Sequence, residues 1–353
     1  MIVKMSCGIR NLSFKGVEEI KLLGFTLNTN AFTFNDKIKS IGFLKVLGSL
    51  ASSDYEKYPY FFHEEEFKTE FPHQISDTEK DIINKNIDSF NIEFKKFVRS
   101  FWFVKDNSCA VNFFHCYIPD GNQAIIKNNF LNYFPSKSET NLVTEFTKEE
   151  IYKAISMYYE CDKLCYHKNL SVVNEVPKSF ILINRKISPI DHRKTNRIER
   201  ALYFLDLARQ SSLNHEKISF YVCILECLFS AHSQNEIAHQ ISERTAMYFG
   251  GNEYFQLERY RLVKEAYSIR SGFFHGSLLK TNTKTLDLAF YLDNNIRTIL
   301  ERAILDDSMV FLQSPEDLDK SFLELIFRKK KSFSRVYTVD NEKTKKILKF
   351  KEQ

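Results

Sequence analysis

Between Ile198 and Ala303 apolar residues recur at intervals of three and four, the spacing that lines one face of an α-helix. Ile198, Ala201, Leu202, Leu205 and Ala208 make one such face, and Ile218, Tyr221, Val222, Leu225 and Phe229 make the next. Asn235 stands where it would cap a third helix carrying Ile237, Ile241 and Tyr248, which stops at Gly250-Gly251. A fourth runs from about Tyr254 through Leu262, Val263, Ala266 and Ile269. A fifth runs through Leu286, Ala289, Leu292, Ile296, Ile299, Leu300 and Ala303. A helix with one apolar face must bury it against another element, so five of them on short loops predict a helical bundle.

Upstream of Pro189 the pattern is mixed. Strands are expected within the first seventy residues, with Lys21 to Asn35 alternating enough for half-buried extended segments. A long helix is predicted from about Asp77 to Lys105, opened by a Ser76/Glu79 capping box. Its stripe of Ile83, Ile87, Phe90, Phe94, Phe97 and Phe101 has helical period and reads as core. Ser108 to Ile118 reads as a strand turning at Asp120-Gly121. A further helix opens at Thr147, with Glu150 completing its capping box and Phe146 and Ile151 placed as a hydrophobic staple. Ser171 to Ile187 reads as an extended connector closed by Ser188-Pro189.

The expected class is therefore mainly α, α+β overall. A mixed α/β N-terminal domain (residues 1–187) precedes a helical bundle (188–327) and a basic C-terminal tail (328–353). A chain of 353 residues is long enough for two cores. With 43% hydrophobic and 27% charged residues, it is not expected to be disordered. The absence of an apolar run long enough to span a bilayer, or of a secretory h-region, predicts a cytoplasmic protein without a membrane partner. Seven cysteines then read as reduced thiols, Cys223 and Cys227 as core. Cys161-x3-Cys165-x-His167 is the one grouping that hints at a metal; it lacks a clear fourth ligand, and no metal or cofactor is expected. The net charge of +5 permits an anionic partner. Much basic charge lies between Arg328 and Lys351, where two readings stay open: a solvated tail, or a contact with an RNA backbone.

Chemistry is concentrated in Arg270-Ser271-Gly272-Phe273-Phe274-His275, followed by Gly276. A guanidinium clamps phosphate oxygens with forked hydrogen bonds, and an imidazole moves protons near neutral pH. RNA carries its own nucleophile in the 2′-hydroxyl, so this pair needs no metal to cleave it. Arg185…His192 and Arg209…His215 have similar spacing, but Pro189 interrupts the first and a helix end and turn interrupt the second.

The block around Arg270 resembles the HEPN superfamily of helical-bundle domains, and most closely its Apea-like branch. The superfamily is marked by Arg, four to six residues, then His, here Arg270 and His275 with the polar Ser271 between them. Ile224-Leu225-Glu226-Cys227-Leu228-Phe229 is similar to the branch's "ALEALF"-like helix, and Glu236 to Arg244 to a characteristic polar helix. Tyr267 to Gly276 is similar to its "Y-x-x-R-S-x-x-x-H-G" signature, with Phe273 and Phe274 bulkier than the expected aliphatic pair. The resemblance spans about Arg197 to Ala303.

It implies a metal-independent endoribonuclease acting in antiviral (abortive infection) defence or as a toxin, dimerising through the bundle so that two Arg-His pairs share a cleft. Independently, residues five apart on a straight helix point about 140° apart. Arg270 and His275 therefore cannot readily serve one phosphate from one straight helix; either Gly272 bends it or a second protomer completes the site. His275 is expected to act as base on the 2′-hydroxyl or as acid on the leaving 5′-oxygen, and Arg270 to stabilise the phosphorane-like transition state. Ser271 either bonds phosphate or caps backbone. Glu226, in an apolar helix, needs a partner, with Arg244 or Arg270 as candidates. Glu243 and Arg244 read either as a structural ion pair or as RNA contacts, and His232 and His239 as surface residues. Transfer RNA or another single strand is the expected substrate, and a phage trigger protein or an antitoxin the expected regulator. The alternatives are a non-catalytic HEPN module that binds RNA or protein, and the toxin of a toxin–antitoxin pair.

Overall fold

The computed structural model describes residues 2–16, 19–22, 25–28, 55, 58–66, 90–118, 123–128, 132–136, 142–166, 195–231, 237–276 and 283–327. The protein is mainly helical with an antiparallel sheet. It divides into two units: residues 1–195 with 209–212, and residues 196–208 with 213–353. The expected helix start at Asp77, the connector from Ser171, Pro189, Asn235, His232, His167 and the basic tail all lie outside the described residues.

The first unit is built on strands β1 (Ile2–Arg10), β3 (Glu19–Leu22), β4 (Phe25–Asn28), β5 (Tyr60–Glu66), β6 (Ala110–Ile118) and β7 (Gln123–Asn128). They form one sheet in the order β3-β4-β5-β1-β6-β7, with neighbours antiparallel. Two short strands, β2 (Leu12–Phe14) and β8 (Thr144–Phe146), pair in parallel. On central strand β1, Met5, Cys7 and Ile9 turn into a core with Leu27, Phe61, Phe114 and Cys116. The register against β6 slips between Cys7 and Ile9, where Gly8 accommodates the bulge.

Helix α1 (residues 90–100) covers this face with the expected aromatic stripe: Phe94 stacks on Phe61 at 4.7 Å, and Phe97 meets Phe101 edge-on at 5.3 Å. The α-helix does not continue to Lys105. At Phe101–Phe103 it tightens into a 3-10 turn in which Phe101, Trp102 and Phe103 are all buried. A one-sided α-helix would have to expose one of three consecutive aromatics, and the tighter turn avoids that.

Helix α2 (Lys148–Tyr166) starts as the sequence predicts. Glu150 N–H donates to Thr147 Oγ1 (3.3 Å), and Thr147 N–H donates to Glu150 Oε2 (3.0 Å). Phe146 and Ile151 are both in the core.

On the other face of β1, Ser6 stands opposite His115, and the Tyr55 hydroxyl joins them, bonding Ser6 Oγ and, at 2.6 Å, His115 Nδ1. Burial lowers the His115 pKa from 6.5 to about 4.

The second unit is helical throughout its described residues. It contains α3 (Arg197–Gln210, of which residues up to 208 belong here), α4 (Asn214–Phe229), α5 (Ile237–Phe249), α6 (Glu253–Phe274) and α7 (Thr283–Leu305). Two shorter helices follow, α8 (Ser308–Phe311) and α9 (Pro315–Ile326). Helix α4 is central, packing on α5, α6 and α7. Each apolar face read from the sequence turns inward, except that Ile237, Ile269 and Leu286 are only partly buried and Tyr254, at the start of its helix, is exposed. Gly250 and Gly251 end α5 with φ of +74° and +100°, conformations that side chains with a Cβ rarely take.

Helices α8 and α9 were not anticipated, although Ser314-Pro315-Glu316-Asp317 carries a start signal: a cap, a proline in the first turn, then acids. Their buried residues complete an aromatic cluster in which Phe229 meets Tyr248, Phe311 and Phe322 at 5.4–6.0 Å.

The buried His115 makes the first unit acid-sensitive. Its folded pKa lies below its unfolded one, so the stability it withholds on protonation is lost as pH falls from 6.5 towards 4. Urea unfolding followed by Trp102, the only tryptophan, should show a loss on the order of 3 kcal/mol over that window. His115→Asn should remove that part of the pH dependence; an unchanged profile would contradict the assignment.

Candidate functional site

The site sits where the end of α6 meets the last turns of α4. Asn252 opens α6 by accepting from Phe255 N–H (3.0 Å), and the helix then runs unbroken through Gly272 to Phe274. It closes at His275 (φ −89°, ψ 7°), whose N–H donates to the Ser271 carbonyl at 3.0 Å. Gly276 follows at φ +74° with its N–H on the Phe273 carbonyl at 3.2 Å. A left-handed residue directly after His275 stops the helix there, and this leaves the His275 ring exposed beside Phe274, itself 55% exposed.

Arg270, one turn earlier, is directed inward along α4. Its Nη2 lies 3.3 Å from Glu226 Oε2, with 29% and 22% of the two side chains exposed. The guanidinium carbon is 5.5 Å from the Tyr267 ring centre and 5.3 Å from that of Phe274. Of the two cations considered as partners for Glu226, the structure therefore supplies Arg270.

Two residues complete the cluster. Tyr267 and Cys223 both lie close enough to Glu226 and Arg270 to feel their charges. Burial and then the Glu226 charge raise the pKa of both the Tyr267 phenol and the Cys223 thiol, so each stays protonated at neutral pH. Sequence reading used Tyr267 only as part of a signature and Cys223 only as core. The signal was helical spacing, since Tyr267 stands three before Arg270 and Cys223 three before Glu226.

The remaining candidates do not converge on this cluster. Ser271 contributes its carbonyl to the end of α6. Glu243 is half-buried on α5. Arg244 is buried, donates to the Phe229 carbonyl at 2.8 Å, pairs with Asp319 and lies 5.0 Å over the Phe322 ring. Arg197 donates to the Cys227 and Ser230 carbonyls at 3.1 and 2.7 Å. Two arginines thus satisfy the carbonyls that end α4. His239 is exposed, its Nδ1 2.8 Å from the Tyr260 hydroxyl.

Arg270 and His275 are not joined by a side-chain hydrogen bond among the described residues. The helix between them is unbroken through Gly272, so Gly272 does not interrupt it. Chemically, the end of α6 offers a partly exposed guanidinium, able to bind an oxyanion, and an exposed imidazole five residues on. Arg270 Nε is buried without a hydrogen-bond partner among the described residues.

Among the described residues no group of three or more His, Cys, Asp or Glu could hold an ion. All seven cysteines are free, and burial raises Cys109, Cys116 and Cys227 to about 12, which keeps them as thiols. No described helix is long and apolar enough to cross a membrane.

Because Arg244 closes the end of α4, its loss should act on stability. Arg244→Ala orphans the Phe229 carbonyl and should destabilise the helical unit by about 1–3 kcal/mol in circular-dichroism melts. An unchanged melt with weakened RNA binding would instead make Arg244 a substrate contact. No protein-family model, curated protein or solved structure matches the chain.

Proposed function

We propose that the helical unit is a HEPN-type bundle of the Apea-like branch and acts as a metal-independent endoribonuclease. In this account Arg270 binds the scissile phosphate and stabilises charge on the phosphorane-like transition state. His275 takes the 2′-hydroxyl proton as base, or protonates the departing 5′-oxygen as acid. The 2′-oxygen attacks phosphorus, the bond to the 5′-oxygen breaks, and the products are a 2′,3′-cyclic phosphate and a 5′-hydroxyl. A homodimer through the helical unit would bring two such pairs to a shared cleft and divide the acid and base roles. The protein would then be a cytoplasmic effector of antiviral defence or a toxin, with the first unit sensing a trigger or restraining the nuclease.

The observation that carries this account is the end of α6. The helix stops directly after His275 on Gly276, which leaves an imidazole in solvent, and one turn back it holds a partly exposed guanidinium against Glu226. An RNA-cleaving pair needs both groups accessible to a phosphodiester, and the resemblance of Tyr267 to Gly276 to the HEPN signature adds to that support.

A second account, a non-catalytic HEPN module, draws on one observation: the Arg270 guanidinium is already paired with a carboxylate. Incubation of the purified full chain with mixed RNA in EDTA, with and without a candidate trigger, separates the two. Cleavage should persist in EDTA and fall at least 100-fold in folded His275→Ala, in line with general acid–base contributions of roughly 10²–10⁴. RNA binding without cleavage in the presence of trigger would favour the module.

A further inference from the structure

Arg270 already holds an anion of the protein's own. The contact with Glu226 is a single one at 3.3 Å, longer than the charge-assisted fork an arginine makes with a well-placed carboxylate or phosphate. The buried Arg270 Nε is left without an acceptor among the described residues. Both side chains keep access to water, which screens their attraction.

Elsewhere in the same unit the chain builds tighter pairs. Asp293, 2% exposed, accepts from the Tyr221 hydroxyl at 2.6 Å and pairs with Arg297. Asp307, 3% exposed, takes Arg302 Nε at 2.9 Å and the Tyr248 hydroxyl at 2.9 Å. Both are enclosed and doubly bonded. The Glu226–Arg270 pair is longer and more open.

Glu226 also has somewhere to turn. The Tyr267 phenol is near enough for the Glu226 charge to raise its pKa, and it stands on the same helix as Arg270, one turn before it. When Arg270 leaves, the nearby phenol is at hand as a donor and Glu226 keeps its water contact, so no buried charge is orphaned.

We propose that Glu226 is a built-in competitor for the phosphate that Arg270 binds, holding the guanidinium at rest until a phosphodiester of single-stranded RNA displaces it, with Tyr267 retaining the freed carboxylate. This rests on the account of Arg270 as a phosphate-binding residue. The exchange trades one partly exposed ion pair for a forked, charge-assisted contact, so RNA prevails once it presents two oxygens in reach. Glu226 then sets a threshold. It lowers RNA affinity by about fivefold, the factor that corresponds to about 1 kcal/mol for a partly exposed pair.

The test is fluorescence anisotropy of the full chain with a mixed-sequence, 2′-O-methyl single-stranded oligonucleotide, which lacks the nucleophile and so reports binding alone. Glu226→Gln should bind about fivefold tighter than wild type, and the gain should vanish on an Arg270→Ala background. Tyr267→Phe leaves Arg270 as the main donor to Glu226, so it should weaken binding about twofold or more, and not when combined with Glu226→Gln. Circular dichroism establishes that each variant is folded, and if Glu226→Gln is not, the Tyr267→Phe comparison with wild type decides. Arg270-dependent binding that Glu226→Gln leaves unchanged or weakens overturns the competitor role alone. A gain that persists without Arg270 also overturns it, as a general effect of removing negative charge. Binding that does not depend on Arg270 overturns the phosphate site itself, and the competitor with it.

Discussion

Helix α4 is buried along most of its length, and that burial dictates where charge can stand in the helical unit. Its inward residues run from His215 to Phe229 and pack on α5, α6 and α7. A carboxylate in its last turns must find a cation or sit at the edge, because an isolated buried charge costs several kcal/mol. Glu226 does both: it keeps partial access to water and meets Arg270 of α6. The carbonyls that end α4 impose a second demand, and Arg197 and Arg244 answer it. Three arginines from three helices thus gather on one helix end, two of them structural and one facing a partly open cluster.

Similar residue types thus stand in different surroundings. Arg244 is fixed by Phe229, Asp319 and the Phe322 ring, and has little freedom to meet a ligand. Arg270 has one long contact, two flanking rings and an unused donor. His275 gains its exposure from backbone geometry, since Gly276 in a left-handed conformation ends the helix directly after it. The first unit uses polar groups differently: Ser6, Tyr55 and His115 form a buried relay on the sheet, where burial keeps the imidazole neutral.

Periodicity made the long helices legible. Ile218, Tyr221, Val222, Leu225 and Phe229 identify the buried face of α4 because a helix under one-sided burial leaves that trace. The Thr147/Glu150 box was legible for a similar local reason. The 3-10 turn at Phe101 was not, since consecutive aromatics carry no period and their packing is decided by distant strands. Strands β7 and β8 escaped because their pairing is set by β6 and β2. At the site, spacing singled out Arg270 and His275. The choice of Arg270 over Arg244 for Glu226 depended on which face of α5 and α6 meets α4, a tertiary fact. Tyr267 was in view as a letter of a signature, and its closeness to Glu226 needed two helices brought side by side.

The central claim is that Arg270 and His275 act on one phosphodiester. Its most direct measurement is the chemistry of RNA ends in cells after induction of the wild-type chain beside His275→Ala. The account predicts new 2′,3′-cyclic phosphate and 5′-hydroxyl ends, clustered in exposed single strands, with wild type and not with the variant. Ends bearing 3′-hydroxyl and 5′-phosphate, or identical ends from both proteins, would contradict it.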